Sequence, residues 1–250
     1  MSMSERPAAV LQSAHTSLGA FGRFRRRLAL GYTCAAGAGR TLALKRMMSS
    51  VVLAGVLRAA LAAAADTSAR SVVERFDEVL LDVLKRADSL GYRGRFDRLA
   101  PAMADAFDLG FMAEKSLGGQ WQKLSDAERA RWRELFGEFT IANYAANFDH
   151  WANQVFAVIG EEPGPSDTTL VRTKVKSPSR EDVDLTYRLR HTDSGWRIFD
   201  VYLKGTVSEL ALRRADYTAV LDRDGFASLE SDVRARIDDL AAGRGKHPAP

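Results

Sequence analysis

Apolar side chains recur every three to four positions from Asp66 to about residue 152, and every second position from there to about residue 204. That change of period constrains this chain more than any other feature, because a period near 3.6 places apolar residues on one helix face and a period of 2 places them on one strand face. In DVDLTYRLRHT, Val183, Leu185, Tyr187 and Leu189 share one face, and Asp184, Thr186, Arg188 and Arg190 share the other. One face is dry and one is wet. A sheet of such strands must be covered on its dry side, and helices encoded earlier in the chain are available to cover it.

The helical half opens with Val72, Val73, Phe76, Val79, Leu80, Val83 and Leu84, an amphipathic helix expected to stop near Leu90-Gly91. A short helix around Phe96–Phe107 follows, then a brief helical turn in DLGFMAEKSLGGQW, punctuated by Gly110 and Gly118-Gly119. Ser125 with Glu128 forms a capping box that starts the longest helix, about 25 residues by its period. Trp132, Leu135, Phe136, Phe139, Tyr144, Phe148 and Trp151 load it with apolar bulk. NQVFAVIG, TTLVRTKVKS, DVDLTYRLRHT and GWRIFDVYLKG then read as four strands, with turns at Pro163-Gly164-Pro165, Ser177-Pro178-Ser179 and Asp193-Ser194-Gly195. The last two turns are hairpin length, so the sheet is antiparallel over at least its final three strands. Two closing helices, Val207–Asp224 and Phe226–Ala242, break at Asp224-Gly225. The expected fold class is α+β: a single domain over 66–243 with N-terminal helices, a four-stranded mainly antiparallel sheet, two C-terminal helices, and a frayed tail at 244–250.

Charge must be read in two parts. Of 36 basic and 32 acidic residues, nine basic ones and one acid, Glu5, fall in residues 1–65, leaving 27 and 31 for the rest. The body is therefore acidic, and it carries no basic stripe interleaved with aromatics, which excludes nucleic acid as a partner. The single cysteine, Cys34, also lies in the first 65 residues, so the body can form neither a disulfide nor a thiolate metal site. Lys45-Arg46 before the apolar run Val51–Ala65, with Ala63-Ala64-Ala65 preceding Asp66, reads as an export signal, interrupted by Arg58 and started from Met47 or Met48. The run is too short for a stable membrane anchor. Residues 1–65 are thus expected to be a leader, removed or disordered, and the body a periplasmic protein.

The stretch GWRIFDVYLKGTVSELALRR is strand-like, yet carries an acid at Asp200, stops at Gly205 and passes at once into a helix. Large residues on both faces, Trp196, Ile198, Phe199, Val201, Tyr202 and Leu203, suit a central strand with apolar material on each side. Asp200 is then partly buried, and needs backbone N–H groups or an arginine where strand meets helix. Gly205 permits the turn, and Ser208 or Thr206 can cap the helix. Trp196, Asp200 and Gly205 are read as structural. Together with FGEFTIANYAANF and VDLTYRLR, the pattern W-x-x-x-D-V-x-x-x-G before a helix resembles the periplasmic lipid-carrier family typified by MlaC, also called the toluene-tolerance auxiliary family, over roughly residues 70–240. YLKGTVSELALRR resembles its hopanoid-associated HpnM branch more closely.

The resemblance implies a deep apolar cavity that shields lipid tails, with phospholipid or hopanoid as ligand. It also implies an inner-membrane transporter, and in MlaC-like systems an outer-membrane lipid complex, as partners. The lining expected for such a cavity is Phe136, Phe139, Tyr144, Phe148 and Trp151 from the long helix, with Val171, Val175, Leu185, Tyr187, Leu189 and Ile198 from the sheet. Each of these residue types is equally suited to ordinary core packing. No catalytic residue, cofactor or metal site is expected, since the chain has no H-x-x-x-H, G-x-S-x-G or P-loop. Two other readings stand beside the carrier. A small isomerase or dehydratase would bring Asp200, Tyr187 and His150 together at a pocket floor. An interaction module would dock through Arg213-Arg214 and its charged helix faces.

Overall fold

The computed structural model describes residues 68–178 and 180–244. The leader and its export signal lie outside the described residues, as does the tail from 245. Helix α1 (Ala69–Lys85) is capped by Ser68, whose side chain accepts from the Ser71 N–H. It is followed by α2 (Ala87–Ala106) and α3 (Leu109–Leu117). The expected stop at Gly91 is present as a break, φ 59°, inside α2 rather than as the end of α1, which terminates six residues earlier. A 3-10 turn, Gly118–Lys123, leads to α4 (Asp126–Asn147), where the Ser125–Glu128 capping box forms in full.

Helix α4 ends before the aromatic run does. The buried guanidinium of Arg95 donates at 2.7 Å to Ala145 O, placing a cation on an orphan carbonyl of the last turn, and at 3.1 Å to Ala87 O at the start of α2. Trp151 is therefore not a helix residue, as its spacing suggested. It lies in the loop beyond, 40 % exposed, with Lys85 Nζ 5.8 Å from its ring.

The sheet is a meander of five antiparallel strands in the order β1 to β5: β1 (Val155–Gly164), β2 (Thr168–Ser177), β3 (Arg180–Thr192), β4 (Gly195–Leu203) and β5 (Val207–Ser208). β1 runs through Pro163, displacing the expected turn to Pro165–Asp167, where Ser166 and Asp167 have positive φ. A proline is tolerated there because β1 pairs only with β2 and forms the sheet's edge. The fifth strand occupies the two residues read as the start of a helix. Lys204 and Gly205, at φ 53° and 72°, fold the chain back so that Leu203 pairs with Val207, and α5 (Glu209–Ala241) begins only then, with Ser208 accepting from Ala211 N–H. Gly225, φ 81°, breaks α5 into the two expected helices.

β4 is buried on both faces but is not central in the sheet. Its far edge is closed by β5 and by the α2–α3 junction, where Asp108 N–H donates to Ile198 O at 2.8 Å. The helices share one core with the dry face. Trp132, fully buried, ties three of them: its Nε1 donates to Ala113 O at 3.0 Å, and its ring meets Tyr217 edge-on at 5.1 Å. Replacing Trp132 by alanine should cost about 3–5 kcal/mol, read as a lowered urea midpoint, because the void opens between α3, α4 and α5 and the Ala113 carbonyl loses a donor.

Candidate functional site: the helix–sheet interior

The interior between the helices and the dry face gathers most of the residues singled out above. Of the eleven proposed for a lining, all but Val175 and Trp151 are buried within one apolar cluster, and Val175 packs against it half-buried. In this structure they fill their space as a core. Tyr144 stacks on Phe148 at 5.4 Å, while Phe76 meets Phe107 at 4.9 Å and Tyr144 at 5.8 Å, both edge-on. Phe107 belongs to this knot, although no periodic pattern singled it out.

Asp77 was also missed, since it reads as one of the charged residues between the apolar positions of α1. It is only 5 % exposed, set on the dry face. Tyr187 Oη donates to its Oδ1 and Thr173 Oγ1 to its Oδ2, each at 3.4 Å. Among the described residues no cation lies within ion-pair distance of it. Burial drives its pKa up to about 7 against the pull of those two hydrogen bonds, with Glu74 adding a smaller upward push. Burial likewise raises the hydroxyl pKa of Tyr187 and of Tyr144.

A second polar place lies where α5 leaves the sheet. Asp200 accepts from Val201 N–H at 2.9 Å, Leu210 N–H at 3.2 Å and the Ser208 hydroxyl at 2.7 Å. Burial raises its pKa, and those three donors, with the charge of Arg188, oppose the rise. The carboxylate sits at the N-terminus of α5, where helix N–H groups favour an anion. Beside it a void of about 20 Å³ is lined by Phe107, Met112, Thr140, Tyr144, Asp200, Val201, Glu209, Leu210 and Arg213. A broader cleft of about 410 Å³ opens on the surface between the α2–α3 junction and the β3–β4 hairpin.

The acid–base set of an isomerase is not assembled. Asp200 is held at the start of α5, the Tyr187 hydroxyl is turned to Asp77, and His150 is exposed in the loop after α4. Trp196 lies half-buried with its ring edge-on to His191 at 5.2 Å. Among the described residues no cluster of three histidine, cysteine or acidic side chains is placed to hold a metal ion, and no helix is long and apolar enough to cross a membrane.

Comparison with known proteins gives a consistent answer. Residues 74–235 match the family model described as MlaC protein. The fold superposes on a phospholipid-binding protein from Ralstonia solanacearum, solved in complex with a phospholipid, with TM-score 0.62 and 20 % identity, over 70 % of this chain and 99 % of that one. No curated protein matches the sequence significantly.

Asp77 provides a direct check on this interior. Its folded pKa, about 7, lies above the ordinary aspartate value of 3.8, so the folded state binds the proton more tightly. Its contribution to stability is full below pH 4 and falls by up to about 4 kcal/mol as pH rises through 7. Asp77→Asn keeps the shape and removes the charge. The variant should match the parent near pH 4 and exceed it at pH 8, measured as the difference between urea midpoints of the two chains across that range.

Proposed function

The chain belongs to the MlaC family, and from that membership we propose that it is a non-catalytic periplasmic carrier that moves phospholipid or hopanoid between inner and outer membranes. The observation that carries the reading is the apolar interior on the dry face, in a fold that the Ralstonia protein uses while holding a phospholipid. An acyl chain of about sixteen carbons is held in a bilayer by ~12 kcal/mol. Only a comparably apolar interior can receive it, and that requirement calls for aromatic and aliphatic side chains rather than acids, bases or metals.

On this reading the buried members of the expected lining, from Phe136 to Ile198, contact the tails, and Trp151 does not. Tails enter as the helices part from the dry face, since the residues now fill that space. The seam is weaker than an all-apolar one, because it buries the carboxyl of Asp77 without a cation. An inner-membrane transporter and an outer-membrane lipid complex are the implied donor and acceptor, and the HpnM-like segment at Tyr202–Arg214 keeps a hopanoid among the ligands.

Native mass spectrometry of the chain purified from its own periplasm, followed by extraction and identification of released lipid, tests the proposal. One phospholipid or hopanoid per chain is the expected result. A bare protein mass, with no uptake from vesicles, would overturn it.

A further inference from the structure

Helix α1 lies across the dry face with Val73, Phe76 and Leu80 buried, and one residue joins it to the helix that follows. That residue, Arg86, leaves the helical range at φ −109° and ψ 9°, and Gly91 breaks the chain again at φ 59°. The first helix is thus a separate rod on a jointed segment. Near its other end Arg70 Nη2 donates to Val158 O on the edge strand at 3.2 Å, an exposed contact that water can replace.

Between these ends the seam buries an acid. Thr173 on β2 and Tyr187 on β3 each donate across it to one oxygen of Asp77, at 3.4 Å. As a neutral acid, Asp77 can donate to one hydroxyl and accept from the other; as an anion it keeps two long hydrogen bonds in an apolar interior. The charged groups on the surrounding elements are engaged elsewhere. On α1 itself Glu74 opposes ionisation, Arg70 pairs with Glu74 at 2.7 Å, and Arg75 and Glu78 are exposed. On β1, Glu161 and Glu162 are exposed. On β2, Arg172 and Lys174 pair with Glu162 and Asp184, and Lys176 is exposed. On β3, Arg188 reaches Thr168 and Pro165, Arg190 pairs with Asp108, and His191 is exposed. On β4, Asp200 is held at the start of α5 and Arg197 donates to Trp196 O. From α2, Arg95 is committed to two carbonyls, and Arg98 meets Asp82 at the exposed rim. α4 presents Tyr144, which burial keeps neutral, as it does Tyr187.

We propose that α1 is a lid latched by a proton: with Asp77 neutral it lies shut on the sheet, and ionisation of that carboxyl frees it to swing about residues 86–91 and uncover the dry face to a lipid tail. This deepens the carrier reading and rests on it. The carboxyl gains water when the lid lifts, so opening and proton loss favour one another. The sign follows from the two states. With the lid lifted Asp77 approaches the ordinary aspartate value of 3.8, and with it shut the value is about 7. Opening therefore becomes easier as pH rises from about 4 to about 7, and levels off above that.

The test is amide hydrogen exchange on the lipid-free chain from pH 5 to pH 8, expressed as protection factors so that the intrinsic pH dependence of exchange cancels. Amides of α1 should lose about ten- to hundred-fold of their protection between pH 5 and pH 7, while residues 226–241 of α5 keep theirs. Asp77→Asn should hold α1 protection high and flat. Thr173→Val removes a donor that favours the anion, so the fall should extend to a higher pH than in the parent. Phospholipid uptake from phosphatidylcholine vesicles should quicken over the same range in the parent and not in Asp77→Asn. Protection of α1 that ignores pH, or that falls equally in Asp77→Asn, would overturn the lid, as would uptake that does not quicken while α1 loosens. Protection lost evenly over α1, α4 and the sheet would also overturn it, by making Asp77 a contributor to overall stability and not a latch. Uptake by neither chain at any pH, with α1 loosening as described, would leave the latch standing and overturn the carrier reading beneath it.

Discussion

An antiparallel meander with one apolar face cannot stay uncovered in water, and the rest of this structure follows from how that face is closed. α1 lies on it through Val73, Phe76 and Leu80, all buried, and α4 adds the stacked pair Tyr144 and Phe148. The long strand β4 then needs closure along its outer edge. Neither a further long strand nor solvent provides it: Asp108 N–H and the two residues of β5 do. Asp200 fixes the second of these. By accepting from Leu210 N–H it ties the end of β4 to the start of α5, so sheet edge and closing helix are set by one carboxylate.

A protein that carries an apolar ligand has a packing problem that an enzyme with a preformed pocket does not. Its interior must be stable when empty and yet yield when filled, and close packing alone resists both opening and expansion. The interior polar groups bear on that balance. Asp77 receives two long hydrogen bonds and, among the described residues, no counter-charge. That carboxyl weakens the closed arrangement at a defined place, against β2 and β3.

Much of the architecture was legible in the sequence because it depends on repeated patterns. The change of period at residue 152, the Ser125–Glu128 box and the hairpin turn at Asp193–Gly195 each name an element, and each element is present. What was not legible depends on contacts distant in sequence. The end of α4 depends on Arg95, fifty residues upstream, so Trp151 continued the aromatic spacing without continuing the helix. β5 is too short to have a period. Asp77 was hidden for the opposite reason: one acid on an apolar helix face disappears into the average, and only its position against Tyr187 and Thr173 marks it as unusual. Of the lining candidates, all but the exposed Trp151 and the half-buried Val175 lie in the apolar interior, but pattern alone does not distinguish a packed interior from an open one.

The free rim of the sheet, β1, has a consequence for life in a crowded compartment. Its outward row of N–H and C=O groups is interrupted three times within a few residues. The register shifts between Val158 and Gly160, Glu161 and Glu162 are exposed, and Pro163 has no N–H to offer. Two copies meeting rim to rim therefore find no continuous ladder to extend, and they repel each other through their carboxylates. The sheet is in this way kept from joining that of a neighbour.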